Sequence, residues 1–210
     1  NSFSVEPLML QFYHRDLVDS AGTFYNLLGW AQARGKDKNY KKYLKARETF
    51  STCGGASIYR REIFDIIGYF DENHFAYLED VDIGYRARIY GYKNYYEPKA
   101  RVYHVGSGAT GSRHNSFKVR VSARNNIWLI YKNMPIFQMV INIPFLLLGI
   151  AIKGLFFAKK GLIKDYSQGI YLGLIGLKKI KKVEYKNNNL FNYLKIELAL
   201  LRNLLLIVLQ

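Results

Sequence analysis

The chain lacks internal disulfide chemistry, because its 210 residues include a single cysteine, Cys53. One free thiol is typical of a reducing compartment. Residues 1–10 also lack the basic segment and apolar core of a secretory signal peptide. Acidic residues are few: 16 Asp and Glu stand against 31 Lys and Arg, which gives a formal net charge of +15. This excess predicts an anionic partner, which can be nucleic acid, anionic lipid or a phosphorylated substrate.

Apolar residues are distributed unevenly, and this divides the chain into two parts. Residues 1–134 alternate short strand-like and helix-like segments, whereas residues 135–210 alternate apolar runs with lysine clusters. The pattern predicts strands at 8–13, 51–59, 94–96 and 101–104, and helices at 60–67, 80–90 and 116–133. We therefore expect an α/β domain over residues 1–134 and a helical, membrane-associated region over residues 135–210.

The apolar run at residues 136–152 is at the short end of what a bilayer span requires. Three residues interrupt it: Gln138, Asn142 and Pro144. Lysines punctuate the apolar stretches that follow, which is typical of contact with an anionic membrane. We predict attachment to the cytoplasmic face of the cell membrane through residues 136–209. A span over 136–157, a re-entrant hairpin, an interfacial helix and a helical subdomain packed on the soluble part all agree with the sequence.

An acidic cluster lies at the start of the predicted helix 80–90. Glu79, Asp80 and Asp82 place three carboxylates within four residues, a concentration that a proton, a cation or a helix N-terminus must offset. His104 follows on a predicted strand, and a glycine-rich loop comes after it. Together these are the parts needed to deprotonate a nucleophile beside a metal-bound phosphate. The alternative is that the acids only stabilise a helix N-terminus.

A set of motifs runs in order along most of the chain. These are Asp19-Ser20-Ala21-Gly22, residues 53–64, residues 68–72, Phe75, residues 79–82, Arg86, His104, Arg124-Asn125 and Asn133-Met134-Pro135. In this order they resemble the family 2 glycosyltransferases, and more narrowly the rhamnosyltransferase-like branch that builds bacterial and archaeal surface glycans. No single motif of the set is specific; the ordered set is.

The resemblance implies the C-terminal half of a GT-A fold and an inverting transfer from a nucleotide-diphosphate sugar. The acceptor would be a glycan or a polyprenyl-linked glycan. Asp80, the second acid of the Glu79–Asp80 pair, maps to the family's general base. Such a transfer needs a carboxylate that takes the proton of the acceptor hydroxyl as its oxygen attacks the sugar. Glu79 and Asp82 are expected to raise the proton affinity of Asp80.

Further site residues follow from the same resemblance. Those expected at the acceptor are Gly54, Gly55, Ala56 and Asp82. His104 maps to a metal-ligand position for Mg²⁺ or Mn²⁺, although a lone histidine at a strand end is often structural. Those expected to close over the diphosphate are Gly106, Ser107, Gly108 and Arg113, with an ordinary connector as the alternative. For Arg124 and Asn125 a buried polar network is the preferred interpretation.

The chain departs from the family's pattern at its start. No Asp-x-Asp motif precedes Glu79, and the family's nucleotide-binding strands have no counterpart here. We therefore expect a fragment that is inactive alone. Two other interpretations stand beside the enzyme: a non-catalytic basic membrane-associated module, and a nucleic-acid-binding protein. Against the second, the lysines cluster beside apolar helices and no recognition motif is present, so we predict no nucleic-acid partner.

Overall fold

The computed structural model describes residues 1–106, 111–112 and 114–208. Over these residues the protein is a mixed α/β structure with one main sheet. The strands are β1 (Ser2–Gln11), β2 (Val18–Ser20), β3 (Thr23–Tyr25), β4 (Ala31–Ala33), β5 (Arg47–Thr49), β6 (Ile58–Tyr59) and β7 (Lys93–His104). The helices are α1 (Arg61–Ile67), α2 (Glu79–Ile89), α3 (Ser116–Asn133), α4 (Ile136–Lys159), α5 (Ile163–Ile175) and α6 (Leu190–Val208).

The main sheet brings the carboxyl ends of two parallel strands to one edge. Its order is β2-β1-β7-β5, with β6 also paired to β1, and β3 and β4 form a separate hairpin. β1 and β7 run parallel, so that Gln11 lies opposite His104. β2 returns antiparallel to β1 and places Ser20 opposite Met9. This topology brings Asp19 on β2 close to the end of β7 that carries His104.

Three predicted helices are confirmed close to their predicted limits: α1, α2 and α3. α1 ends at Gly68, whose φ of 82° is in the left-handed region that favours glycine. The strands predicted at 94–96 and 101–104 are one strand, β7. Its pairing with β1 continues through a register shift between Pro7 and Leu8, so the chain does not break there.

The strand predicted at residues 51–59 was wrong over most of its length. Only Ile58 and Tyr59 pair with β1, and the residues before them form a turn around Gly54. The backbone N–H groups of Cys53 and Gly54 donate to side-chain carboxylates. Because these donors are used in this way, they are not available to a neighbouring strand.

α2 is buried on nearly all sides. Val81 and Tyr85 pack in one apolar cluster, while Ile83 and Ala87 pack in a second. The helix therefore lies between two parts of the core. This fixes the position of its first turn, which carries the acidic cluster.

The C-terminal helices share a core with the first part of the chain. α6 contributes Tyr193 and Leu200 to the apolar cluster that also contains Tyr25 and Tyr85. The predicted boundary at 134/135 coincides with the break between α3 and α4, and packing continues across it. The division into two domains stays a prediction.

One helix among the described residues, α4, is long and apolar enough in composition to cross a membrane. Its buried residues lie along one face: Gln138, Asn142, Leu146 and Gly149. The two amides donate hydrogen bonds to Oε2 of Glu197 on α6, at 2.7 and 2.9 Å. The polar residues that interrupt the apolar run therefore face the protein, and the outward face of α4 is apolar.

Candidate functional site

Asp80 lies in the first turn of α2, where the backbone holds its carboxylate. Its Oδ2 accepts a hydrogen bond from the Gly54 N–H at 2.9 Å, and its Oδ1 accepts one from the Val81 N–H at 2.8 Å. The residue keeps partial exposure to solvent. The surrounding protein disfavours the charged form and raises the pKa of Asp80, and the two backbone hydrogen bonds offset only part of this effect.

Glu79 stands beside Asp80 and is also partly exposed. Burial raises the pKa of Glu79, and the neighbouring charge of Asp80 adds to that rise. Its Oε2 is buried and accepts no hydrogen bond from the described residues. Both effects favour the protonated form of the Glu79 carboxyl group. The expectation that Glu79 and Asp82 raise the proton affinity of Asp80 was wrong in its cause, because burial dominates.

The backbone before α2 is strained. Three residues that are not glycine have a positive φ, between 60° and 68°: Phe75, Tyr77 and Leu78. Each such conformation costs about 1–3 kcal/mol and persists only when its surroundings enforce it. Asn125 on α3 supplies this support, because its Nδ2 lies 2.8 Å from the carbonyl oxygens of His74, Ala76 and Tyr77. The buried polar network predicted at this motif is confirmed, and it positions the start of α2.

The turn around Gly54 and Gly55 brings Asp80 and His104 to one place. A Cβ atom on Gly54 would lie 3.5 Å from Cβ of Asp80, and one on Gly55 would lie 3.7 Å from Nε2 of His104. Both glycines are exposed, and Ala56 behind them is partly exposed. Two predicted site residues, Asp80 and His104, therefore lie beside the exposed segment formed by Gly54 and Gly55. Whether this segment binds an acceptor stays a prediction.

Glu6 is a site residue that sequence reasoning missed. It lies on β1 with no exposed surface, and it accepts hydrogen bonds from the hydroxyl of Ser20 and the backbone N–H groups of Gly22 and Cys53. Burial raises its pKa to about 7, against the effect of those hydrogen bonds. The available signal was a single charged residue within an otherwise uncharged strand.

His104 is the last residue of β7, and the carboxylate of Asp19 orients its ring. Its Nδ1 lies 2.9 Å from Oδ2 of Asp19, and the other oxygen of Asp19 pairs with the ammonium of Lys36. Clefts of about 410 and 270 Å³ lie on either side of Asp19 and Lys36. Orientation of a histidine through one ring nitrogen leaves Nε2 as the nitrogen for a ligand or substrate.

A site for Mg²⁺ or Mn²⁺ needs several oxygen or nitrogen donors around one point. In the part of the chain that the structure describes, no group of three or more His, Cys, Asp or Glu side chains is placed so that it could hold a metal ion. Asp19 is already engaged by Lys36 and His104, so its oxygens are not free ligands. The described residues therefore offer one imidazole nitrogen, which is short of a complete Mg²⁺ or Mn²⁺ site.

Asp82 does not lie where an acceptor residue must lie, so this prediction was wrong. The side chain has no exposed surface, and its oxygens contact Arg86 at 2.9 Å, Lys132 at 3.0 Å and Asn133 at 2.8 Å. Burial opposes the charge, but the cations outweigh it and lower the pKa of Asp82. Asp82 and Arg86 are four residues apart on α2, and their ion pair joins successive turns of the helix.

Of the four residues predicted to close over the diphosphate, the structure describes Gly106 alone. Gly106 follows β7 with a φ of 59°, and a Cβ atom there would lie 3.6 Å from Oδ1 of Asp19. Ser107, Gly108 and Arg113 lie outside the described residues. A role of this loop in binding diphosphate stays a prediction.

Comparison with known proteins gives a partial relationship. No protein-family model matches the chain. The chain is 34% identical over 83 residues to N-acetylglucosaminyl-diphospho-decaprenol L-rhamnosyltransferase of two Mycobacterium tuberculosis strains, CDC 1551 and H37Rv. It is 33% identical over 79 residues to the uncharacterized protein y4gI of Sinorhizobium fredii, of which it covers 9%. The mycobacterial match spans 36% of this chain and 27% of the relative. Over that part, the chain is a distant relative of a glycosyltransferase.

Proposed function

We propose that this protein is part of an inverting glycosyltransferase that moves a sugar from a nucleotide-diphosphate donor to a glycan or lipid-linked acceptor. The observation that carries the proposal is the exposed turn at Gly54 and Gly55, with Asp80 on one side and His104 on the other. The similarity to a mycobacterial rhamnosyltransferase supports the same reaction class. Such enzymes serve the synthesis of cell-surface polysaccharide.

In the proposed mechanism Asp80 is the general base. Its carboxylate takes the proton of the acceptor hydroxyl while the hydroxyl oxygen forms a bond to the anomeric carbon. The bond from that carbon to the diphosphate breaks, and the diphosphate leaves with the electron pair. The raised pKa of Asp80 suits a base that works near neutral pH, and the Gly54 N–H holds Oδ2 in a fixed orientation.

A divalent cation, Mg²⁺ or Mn²⁺, stays part of the expectation for the donor side. Its contribution would be to neutralise charge on the departing diphosphate. His104 would supply one ring nitrogen, and other ligands would have to come from the diphosphate or from outside the described residues.

We also propose that the protein lies on the cytoplasmic face of an anionic cell membrane. Side chains on the outward face of α4, including Ile141 and Leu148, are 61% and 52% exposed, which is unfavourable in water. One face of α4 is tied to the domain, through the amides that bond to Glu197 and through Gly149 against Leu28. This arrangement favours a helix that lies in the interface over one that spans the bilayer.

The reaction is tested with Asp80→Asn, which removes the base and keeps the side-chain size. We expect sugar transfer to a lipid-linked acceptor to fall about 10²–10⁴-fold, assayed in membranes that contain the whole transferase of which this chain is proposed to be a part. Asp65→Asn is the matched control, since Asp65 is an exposed acid on α1 that pairs with Arg61. Equal loss in both variants, or undiminished transfer in Asp80→Asn, contradicts the proposal.

The same experiment separates the second candidate, a basic membrane-associated module without catalysis. That candidate is favoured by the net charge of +15 and by the apolar face of α4. It expects Asp80→Asn to alter neither membrane binding nor any transfer activity. Loss of transfer with unchanged unfolding and unchanged vesicle binding favours the enzyme.

A further inference from the structure

A third cleft, of about 320 Å³, lies between α6 and the β5 end of the sheet. It shares no lining residue with the two clefts beside Asp19. Its walls carry four cationic side chains and one acidic side chain: Arg88, Lys93, Lys195, Arg202 and Glu48. The cleft is therefore a separate basic site that the proposed transfer reaction does not use.

Two of these cations already share the one acid of the cleft. Arg88 pairs with Glu48 at 2.9 Å and donates to the carbonyl oxygens of Thr49 and Phe50. Lys93 pairs with the other oxygen of Glu48 at 3.2 Å. Glu48 is thus fully engaged, and the sheet side of the cleft has no acid left for the cations of α6.

Lys195 and Arg202 form the helix side of the cleft. They are seven residues apart, so they lie on one face of α6, and both are exposed. Neither forms an ion pair within the part of the chain that the structure describes. Burial lowers the pKa of Arg88, and the nearby charge of Arg202 lowers it further. An anion placed between them would relieve this repulsion.

The same wall of the cleft is also apolar. Leu198 lies between Lys195 and Arg202 in sequence, lines the cleft and is 67% exposed. Leu194, Leu201 and Leu205 extend an exposed apolar surface along α6. Cations beside exposed leucines match a ligand with an anionic head and an apolar tail.

We propose that this cleft binds the phosphate headgroup of an anionic phospholipid. Arg202 and Lys195 contact the phosphate, and Leu198 lies against the acyl chains. A guanidinium suits this role because it donates two parallel hydrogen bonds to phosphate oxygens. The proposal rests on the membrane association proposed above, but it is carried by different residues, on α6 in place of α4.

The test measures binding of the 210-residue protein to vesicles of phosphatidylglycerol in phosphatidylcholine, and to vesicles of phosphatidylcholine alone. We expect the double variant Lys195→Gln/Arg202→Gln to lose about tenfold or more in affinity for the anionic vesicles. Its binding to neutral vesicles should not change. Lys38→Gln/Lys41→Gln is the charge-matched control, because both lysines are exposed and line neither this cleft nor those beside Asp19. Arg202→Lys should give an intermediate loss, since it keeps the charge and removes the paired donors.

The outcomes distinguish this site from membrane association in general. Equal loss in the two double variants would mean a diffuse charge effect and would overturn the site. Absence of vesicle binding by the native protein would overturn the membrane proposal itself. Soluble glycerol phosphate supplies the remaining arm: if it raises the melting temperature of the native protein while the vesicle affinities of native and variant agree, the ligand is a free phosphate and not a lipid.

Discussion

At the residue scale, two carboxylates hold the turn at Gly54 through backbone hydrogen bonds. Glu6 accepts the N–H of Cys53 and Asp80 accepts the N–H of Gly54, so consecutive peptide groups are fixed by separate acids. The pKa of each acid is raised, chiefly by burial. Because the same turn lies against Nε2 of His104, the protonation of Glu6 bears directly on the geometry of the candidate site.

Glu6 makes stability depend on pH. Its pKa rises from 4.5 to about 7 on folding. Between these two pH values, Glu6 is therefore mostly protonated in the folded state and mostly ionised in the unfolded state. Its stabilising contribution is present below pH 4.5 and is lost as pH rises through 7, by roughly 3 kcal/mol. We expect urea unfolding between pH 5 and 8 to show this decline, and Glu6→Gln to remove it.

Glu62→Gln is the control for this measurement, because Glu62 is an exposed acid on α1. It should keep the native pH dependence. Asp80 and Glu79 also have raised pKa values, so a residual decline of the same sign is expected in Glu6→Gln. An unchanged slope in Glu6→Gln would show that Glu6 is not the titrating group.

At the element scale, α4 is seated on the domain through one very close approach. A Cβ atom on Gly149 would lie 2.1 Å from the carbonyl oxygen of Leu28, a distance that no side chain tolerates. The indole N–H of Trp30 donates to the carbonyl of Gly149 at 3.2 Å. Glycine is needed here for contact between two backbones, and this contact sets the depth at which the apolar helix sits.

Two glycines of the same helix give a matched test of this packing. Gly149→Ala must displace the backbone at Leu28, and we expect it to lower the free energy of unfolding by about 1–3 kcal/mol. Gly154→Ala meets no atom closer than 3.8 Å and should raise stability by up to about 1 kcal/mol through helix propensity. Chemical denaturation of both variants measures the difference. Similar values for the two would contradict the seating of α4 at Gly149.

At the scale of the whole molecule, the distribution of charge and of exposed apolar surface supports the proposed contact with an anionic membrane. The net charge is +15, and exposed apolar side chains follow α4 and α6. Lysines stand between these helices, at residues 178–182 among others. The basic residues of such a surface attract anionic lipid, and its apolar side chains can insert into the membrane. A soluble anionic partner would need the basic residues but not the exposed apolar side chains.

Binding to anionic vesicles should therefore depend on the outward face of α4. We expect Ile141→Asp/Leu148→Asp to weaken binding at least about tenfold, because each loses the burial of a large apolar side chain. Leu44→Asp alters an equally exposed leucine in the first part of the chain and should have no effect. Co-sedimentation with vesicles measures both. Equal binding by native and α4 variant would exclude this face as the membrane contact.

Local sequence signals determined several features of this protein. The glycine at position 68 ended α1, and the pairing of Asp82 with Arg86 followed from helical spacing. The ordered motifs indicated Asp80 and His104, and part of the chain is similar to a glycosyltransferase. These features depend on residues close together in the chain, or on a pattern that a relative shares. They can therefore be predicted from the sequence alone.

Only the tertiary structure decided which carboxylates reach solvent at the candidate site and which are buried in ion pairs. Asp80 and Asp82 are two residues apart, yet one faces partly outward beside Gly54 while the other is sealed between Arg86 and Lys132. Glu6 reaches the site across the sheet from a distant part of the chain. Burial and long-range partners set the charge and the pKa of each acid, and these depend on packing between segments that sequence patterns do not relate.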